Sequence, residues 1–449
     1  VPTHATPDLI VVLPGIMGSV LAREGHELWN HTLAVAGRHA RSRLGELDRL
    51  VLPPSTGDKD PEDGIEAVAL IKGLHVLPGV SAIDGYGTLM RFLERRVGVS
   101  TEAGNLLPFP YDWRLSVRLN ARRLAAAVEP ALADWRLLSA NPDAKAVFIA
   151  HSMGGLVARY YLDMIGGHTH ARSLITIGTP YRGSLNALDS LHRGVASGLQ
   201  RLTAPFTRLA RSLPSLHQLL PTWHCLLDER GIRLPLAGQA VPGLDAVATE
   251  DAMLLHHELD TASVGAYGLH VFGGYRQPTY QSARLTSAGL ELRRDIDGDD
   301  HFGDGTVPRF SCFPAQFVDD STVRHFAQKH GALQSERALL NQVEGILTSR
   351  APRQFLDGRQ ELSVGLPDVA DSGACPITVL ADNDRLTLAV TAADEEASTV
   401  AVRKHLRNHG DGRYGTELAL PGPGTWRVTV GDPVNAGRVQ EVTSIVLTE

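Results

Sequence analysis

Cysteine is scarce in this chain. There are three in 449 residues, Cys225, Cys312 and Cys375, far apart and odd in number. That excludes a disulfide framework, offers no metal-ligand spacing and leans towards a reducing compartment. Long apolar runs are missing too; none reaches the ~18 residues a membrane-spanning helix needs. There is no long basic run and the net charge is −7, so nucleic acid is not an expected partner. Neither an internal repeat nor a low-complexity segment is visible. The expected location is cytoplasmic; because the chain begins at Val1 and not Met, a secreted protein with a trimmed signal peptide also fits.

What is there suits a soluble globular protein, with 43% hydrophobic and 21% charged residues and length for a large core plus a smaller module. D-L-I-V-V-L, Asp8 to Leu13, is a short continuous apolar run that stops at Pro14-Gly15, as buried strands do. Tyr86 to Val97 has apolar residues at helical spacing, and a second amphipathic helix runs over Val117–Leu138. Strand Ala146–Ala150, helix Gly155–Ile165 and strand Ser173–Ile177 follow. This alternation predicts an α/β fold with a parallel sheet and crossover helices.

Three stretches break the alternation. The segment from about Arg23 to Ser81, with its P-P-S-T-G-D-K-D-P-E-D-G patch, reads as an insertion of helices and loops. About 185–260 is helical and proline-punctuated, as a cap over the sheet's C-terminal edge would be. Its apolar residues Leu199, Leu202, Phe206, Leu209, Leu213 and Leu216 alternate with Arg201, Arg208 and Arg211. They read as packing on their own protein more readily than as a lipid-touching lid. Strand character resumes at Gly268–Gly274 and runs through a hairpin to D-I-D-G-D-D. A last core helix is expected at Ala332–Leu347. Beyond Arg350, short β-branched runs separated by Gly, Pro, Asn and Asp predict a C-terminal all-β sandwich-like domain. The boundary is set at 354/355, giving domains 1–354 and 355–449.

The chemistry points to A-H-S-M-G-G, Ala150 to Gly155. A serine hydroxyl is a weak nucleophile without a base and without donors for the oxyanion it creates. A sharp strand-to-helix turn lifts the side chain clear of the sheet and aims the helix's first amides at the reacting carbonyl. Such a turn needs small neighbours; here they are Ala150, in place of the usual glycine, and Gly154. Ser152 is therefore the candidate nucleophile, and Met153 offers one oxyanion amide. The other amide is expected from V-L-P-G-I-M-G-S, through Ile16 or Met17.

An acid and a histidine should follow in that order. Asp304 lies in the glycine-bracketed F-G-D-G-T-V-P, ahead of the competing Asp299 and Asp300 in the four-aspartate run. His330, in K-H-G-A-L, is favoured over His325. The D-I-D-G-D-D loop lacks the glycine position and closing glutamate of a calcium loop. His168, His170, His256 and His257 have no partner at ligand spacing and read as surface residues. No metal or cofactor is called for.

Together P-G-I-M-G-S, P-Y-D-W-R (Pro110–Arg114), A-H-S-M-G-G, G-T-P-Y-R-G-S (Gly178–Ser184), L-P-S-L-H-Q-L-L-P (Leu213–Pro221) and G-D-G-T-V-P before K-H-G-A-L are quite specific. The chain resembles the lecithin:cholesterol acyltransferase-like α/β-hydrolases, which include lysosomal phospholipase and bacterial members. The resemblance covers about residues 8–347. It implies an α/β-hydrolase fold, a triad of Ser152, Asp304 and His330, an oxyanion hole from Ile16 and Met153, a lid over about 23–80 and a cap over about 185–260. Secreted members pin the lid with cysteines, and residues 23–80 have none, which argues against an extracellular, lipoprotein-bound protein. The β-rich tail falls outside the shared region.

The expectation is a serine esterase, lipase or O-acyltransferase working through an acyl-enzyme on a lipid or other hydrophobic ester, with a protein partner for the β-domain left open. The alternative is a non-catalytic binding or signalling protein built on a hydrolase-like core. In P-Y-D-W-R a structural role is expected, with Asp112 and Arg114 paired and Trp113 in the core.

Overall fold

The computed structural model describes residues 6–30, 47–54, 56–73, 75–77, 81–83, 85–193, 200–263, 265–286, 289–317, 321–348, 360–367, 369–370, 374–394, 400–434 and 439–448. Among these, six parallel strands form the central sheet: β1 (Leu9–Leu13), β2 (Leu106–Pro108), β3 (Ala146–His151), β4 (Ala171–Ile177), β5 (Gly268–Gly274) and β6 (Arg324–Phe326). Their order is β6-β5-β4-β3-β1-β2. β2 lies on one side of β1 and β3 on the other, a switch in strand order of the kind at which open α/β sheets carry their sites, outside the strands' C-terminal ends.

Both faces of the sheet are covered, which is why its strands are continuously apolar. Leu9, Val11 and Leu13 face one core with Leu124, Val128, Leu156 and Val157. Ile10 and Val12 face the other with Leu89, Leu93, Leu340 and Val343. On the first face lie helices α2 (Val117–Leu138) and α3 (Met153–Met164). The opposite face carries α1 (Gly87–Phe92), continued by a π-helical turn at Leu93–Val97. Helix α2 begins where Ser116 caps the Leu119 amide and buries Ala121, Leu124, Val128 and Leu132; each of the buried leucine and valine side chains contributes about 1.5–3 kcal/mol.

The expected insertion of helices and loops after Arg23 is corrected. Its described part also holds strands: His26–Trp29 and Ile65–Leu70 pair with Ser19–Arg23 in an antiparallel sheet. Ser19–Arg23 and His26–Trp29 are joined at Glu24-Gly25, both with positive φ (53° and 79°), as a tight hairpin turn requires. The segment expected as a cap contains the helices Leu185–His192, Gln200–Ser212, Pro214–His217 and Ala246–Thr261. Leu209, Leu213 and Leu216 are buried against the protein itself, and Arg208 pairs with Asp48; Leu199 lies outside the described residues. The hairpin Ser282–Thr286/Gly289–Arg293 joins the short strands Leu226–Leu227 and Arg233–Leu234, not the central sheet. The last helix is also corrected. A 3-10 segment, His330–Ser335, is followed by the helix Arg337–Thr348, because Glu336 adopts extended backbone between them.

The C-terminal region has its own core. A sheet of Leu362–Gly365, Cys375–Ala381, Arg413–Leu418 and Arg407–Gly410 faces one containing Ala389–Asp394, Val400–His405, Gly424–Gly431 and Val442–Thr448. Val364, Ile377, Val379, Val390, Val428 and Val446 fill the space between. Residues 354/355, the expected domain boundary, lie outside the described residues.

Candidate active site

Strand β3 ends at His151 and helix α3 starts at Met153, so Ser152 alone makes the turn. Its φ of 53° and ψ of −127° are unfavourable for a side chain with a Cβ, a strain on the order of 1–3 kcal/mol that surrounding structure must hold. The Ser152 amide is anchored to the Ile177 carbonyl at 2.9 Å. Gly154 passes so close to the first loop that a Cβ there would lie 2.4 Å from the Pro14 carbonyl oxygen. That contact explains the small residue at this position.

Two elements distant in sequence meet Ser152. Its Oγ lies 2.9 Å from His330 Nε2, and His330 Nδ1 lies 2.7 Å from Asp304 Oδ2. The main chain reinforces this, since the His330 amide donates to the Asp304 carbonyl at 2.8 Å. Asp304 Oδ1 accepts from the Thr306 and Val307 amides at 2.9 and 2.6 Å. With the carboxylate an acceptor on both oxygens, Nδ1 of His330 carries the proton. Nε2 is then the acceptor for the Ser152 hydroxyl. All three residues are buried, at 5% exposure or less, which keeps bulk water from competing for these bonds. Asp304 reaches the end of β5 through a loop, pairing with Gln277. Asp299 and Asp300 lie exposed in the preceding loop, and Asp300 binds the Gln281 side chain. His325 is on β6, beside the Tyr275 ring, and makes no bond to Ser152.

The turn from Gly15 to Gly18 closes through a 3.1 Å bond from the Gly18 amide to the Gly15 carbonyl, with Met17 left-handed at φ 63°. Gly15 lies over the serine: a Cβ built on it would come within 3.3 Å of Ser152 Oγ. Among the described residues, no protein group accepts from the amides of Ile16, Met17 or Met153. P-Y-D-W-R supports this turn from below. Tyr111 donates to the Pro14 carbonyl at 2.8 Å, and Trp113 Nε1 to the Ser19 carbonyl at 3.2 Å. Asp112 pairs with the fully buried Arg114, which also reaches Asp63.

Two functional candidates escaped the sequence reading. Tyr86, taken as one apolar position of a helix face, has its hydroxyl 2.7 Å from the Gly15 amide and 2.9 Å from His151 Nδ1. Burial first, then the neighbouring His330, pulls the His151 imidazole down to about 3. The available signal was a histidine ending a strand that is otherwise wholly apolar. One surface assignment is corrected as well: His256 is buried, its Nε2 2.9 Å from the Gln218 carbonyl. Among the described residues, no cluster of His, Cys, Asp and Glu is arranged to hold a metal ion, and no helix is long and apolar enough to cross a membrane.

Residues 42–240 match the family model described as lecithin:cholesterol acyltransferase. A phospholipid–sterol O-acyltransferase of Arabidopsis thaliana is 28% identical over 180 residues, covering 36% of this chain and 26% of that protein. An uncharacterised protein of Saccharomyces cerevisiae is 27% identical over 173 residues, covering 38% of this chain and 23% of that protein. The chain therefore aligns with about a quarter of the length of these relatives. Among solved structures, the mature lipase BlEst2 of Bacillus licheniformis is similar at 12% identity, over 78% of this chain and 94% of that one, with a TM-score of 0.39. Phospholipase PlaB of Legionella pneumophila is similar at 12% identity over 84% of this chain and 91% of that one, TM-score 0.35. The α/β-hydrolase fold rests on the sheet order and the turn at Ser152.

Proposed function

We propose, for a chain that is lecithin:cholesterol acyltransferase-like in sequence and an α/β-hydrolase in fold, that it transfers acyl groups from lipid or other hydrophobic esters through an acyl-enzyme on Ser152. The observation that carries this reading is the buried line from Ser152 Oγ through His330 to Asp304, at 2.9 and 2.7 Å.

The steps follow from that line. Ser152 Oγ attacks the ester carbonyl carbon while its proton passes to His330 Nε2. Charge collects on the carbonyl oxygen, for which the amide of Met153 and that of Ile16 or Met17 are the available donors. The C–O bond to the alcohol breaks, and His330 returns the proton to the departing oxygen. Water or a second alcohol then enters by the reverse path, giving hydrolysis or acyl transfer. Asp304 holds the imidazole in one tautomer and stabilises its protonated form without taking the proton.

A fluorophosphonate probe tests the reading on intact protein. The expected result is one covalent adduct on the wild type and none on Ser152→Ala. Turnover of a p-nitrophenyl ester should fall roughly 10⁴- to 10⁶-fold in that variant. An unlabelled, inactive wild type would favour the alternative, a binding protein with a hydrolase-like core. Mass spectrometry of products from phospholipid with and without an alcohol acceptor separates hydrolysis from transfer.

A further inference from the structure

Two buried polar side chains outside the Ser152–His330–Asp304 line join both sides of the site. The Gly15 amide donates to Tyr86 Oη at 2.7 Å; Tyr86 Oη lies 2.9 Å from His151 Nδ1; His151 Nε2 lies 3.1 Å from the His330 carbonyl oxygen. With a neutral imidazole, one arrangement of hydrogens satisfies all three contacts. The carbonyl of His330 can only accept, so His151 carries its proton on Nε2. Its imidazole is neutral, burial holding it so, and Nδ1 therefore accepts from the Tyr86 hydroxyl. Burial also raises the Tyr86 phenol well above its ordinary value, so that hydroxyl keeps its proton. The phenolic oxygen then accepts from Gly15. The three bonds run in one sense, Gly15 to Tyr86 to His151 to His330, and each polarises the next.

The two ends of this chain are functionally distinct. At one end is Gly15, which lies against Ser152 and opens the turn carrying the Ile16 and Met17 amides. At the other is the main chain of His330, whose side chain already faces Ser152 and Asp304. With this bond His330 is held through its amide, its carbonyl and both ring nitrogens. Tyr86 is 0% and His151 1% exposed. If their only task were to fill space, an apolar pair would do so without the cost of desolvating a phenol and an imidazole.

We infer that Tyr86 and His151 are positioning residues that fix the distance between the oxyanion turn and His330 around Ser152. This rests on the acyl-enzyme reading above. The two side chains touch neither substrate nor the reacting atoms; they set where the donors and the base stand. Displacements near 1 Å at such a site cost about 100-fold in rate.

The test uses full-length Tyr86→Phe, His151→Leu and the double variant. It reads kcat and KM on a p-nitrophenyl ester, the rate of fluorophosphonate labelling, and folding by circular dichroism. Tyr86→Phe keeps the ring and removes the hydroxyl. The expected result is a fall of about 10- to 100-fold in kcat and in labelling rate, with KM changed less than about threefold, in folded protein. The double variant should be no more than about threefold worse than the worse single one, because both substitutions cut the same chain. A folded Tyr86→Phe with wild-type kcat and labelling rate overturns the inference, as does a double variant whose losses multiply. If Tyr86→Phe does not fold, difluorotyrosine at position 86 replaces it: this preserves shape while changing the strength of the O–H donor. An unchanged labelling rate there overturns the inference equally. A wild type that neither labels nor turns over ester is a separate outcome, which removes the acyl-enzyme reading and this inference with it.

Discussion

Gln277 and Leu362 are joined side chain to main chain across the junction of the α/β region and the C-terminal β-region. Nε2 of Gln277 donates to the Leu362 carbonyl at 3.1 Å, and Oε1 accepts from the Val364 amide at 3.2 Å. The amide of the same glutamine donates to the Gly303 carbonyl at 3.0 Å, one residue before Asp304. Gln328 repeats the arrangement two residues before His330: its side chain meets the Thr443 amide at 3.3 Å and the Glu441 carbonyl at 3.4 Å. The loops that present the acid and the histidine are thus both tied to backbone of the β-region.

Gln277→Leu should therefore destabilise the protein by about 1–3 kcal/mol, since Gln277 is fully buried and the Val364 amide loses its acceptor. Urea unfolding of the variant against the wild type measures this. Equal midpoints and slopes would mean the junction is not held by these bonds.

Asp304→Asn should leave the fold intact and lower kcat by roughly 10⁴-fold on the general behaviour of such triads. The reason is local. Oδ1 is committed to the Thr306 and Val307 amides, so an asparagine would keep its oxygen there and turn its NH₂ towards His330. His330 would then protonate on Nε2 and could no longer accept from Ser152. Steady-state kinetics beside a circular dichroism spectrum checks it. A loss below tenfold would indicate that another group orients the histidine.

How far the molecule was legible in the sequence depended on how local each signal was. L-I-V-V-L and A-V-F-I-A are strands on their own composition, and the periodicity of Val117–Leu138 matches the helix to both ends. The turn at Ser152 is equally local. The strands after Arg23 were missed because Ile65–Leu70 alternates only weakly and is half exposed, and because Glu24-Gly25 is a less familiar hairpin pair than Asn-Gly or Asp-Gly. Tyr86 and His151 were missed for a different reason. A tyrosine on a helix face and a histidine beside the serine acquire meaning only once the fold brings them within 2.9 Å.

Arg114→Met separates support from chemistry in P-Y-D-W-R. Arg114 has no exposed side-chain surface; it pairs with Asp112 at 2.6 Å and Asp63 at 2.8 Å. Removing it strands a buried carboxylate, which costs about 3–5 kcal/mol. The expected outcome is a large loss of stability to urea with kcat per fluorophosphonate-reactive molecule within about threefold of wild type. A drop of 100-fold in kcat per reactive molecule would instead assign the motif a part in the reaction.

Acid should weaken the fold in a window that His151 helps define. Its imidazole is held down to about 3 in the folded protein, against the ordinary 6.5 of an exposed histidine. Below 6.5 the unfolded chain takes up a proton that the folded chain refuses, so protonation favours unfolding. This contribution to stability is complete above 6.5, declines as pH falls from 6.5 towards 3, and is exhausted below that. His217 and His256 are also lowered, by burial first, and act in the same direction. The carboxylates of Asp60 and Asp382, lowered by hydrogen bonds to the Glu62 amide and the Arg276 side chain, add their losses near and below 3.8. Between pH 5 and 6.5 the buried histidines dominate among these groups. Each contributes a slope of up to about 1.4 kcal/mol per pH unit. Urea unfolding from pH 7 to 5 should show stability falling with acid in the wild type. In His151→Gln, which keeps a polar side chain but cannot take the proton, the fall should be shallower by nearly one proton's worth. An identical slope in the two proteins would mean that the folded His151 already binds its proton in this range, and with it the one-way hydrogen-bond chain from Gly15 to His330 would be lost.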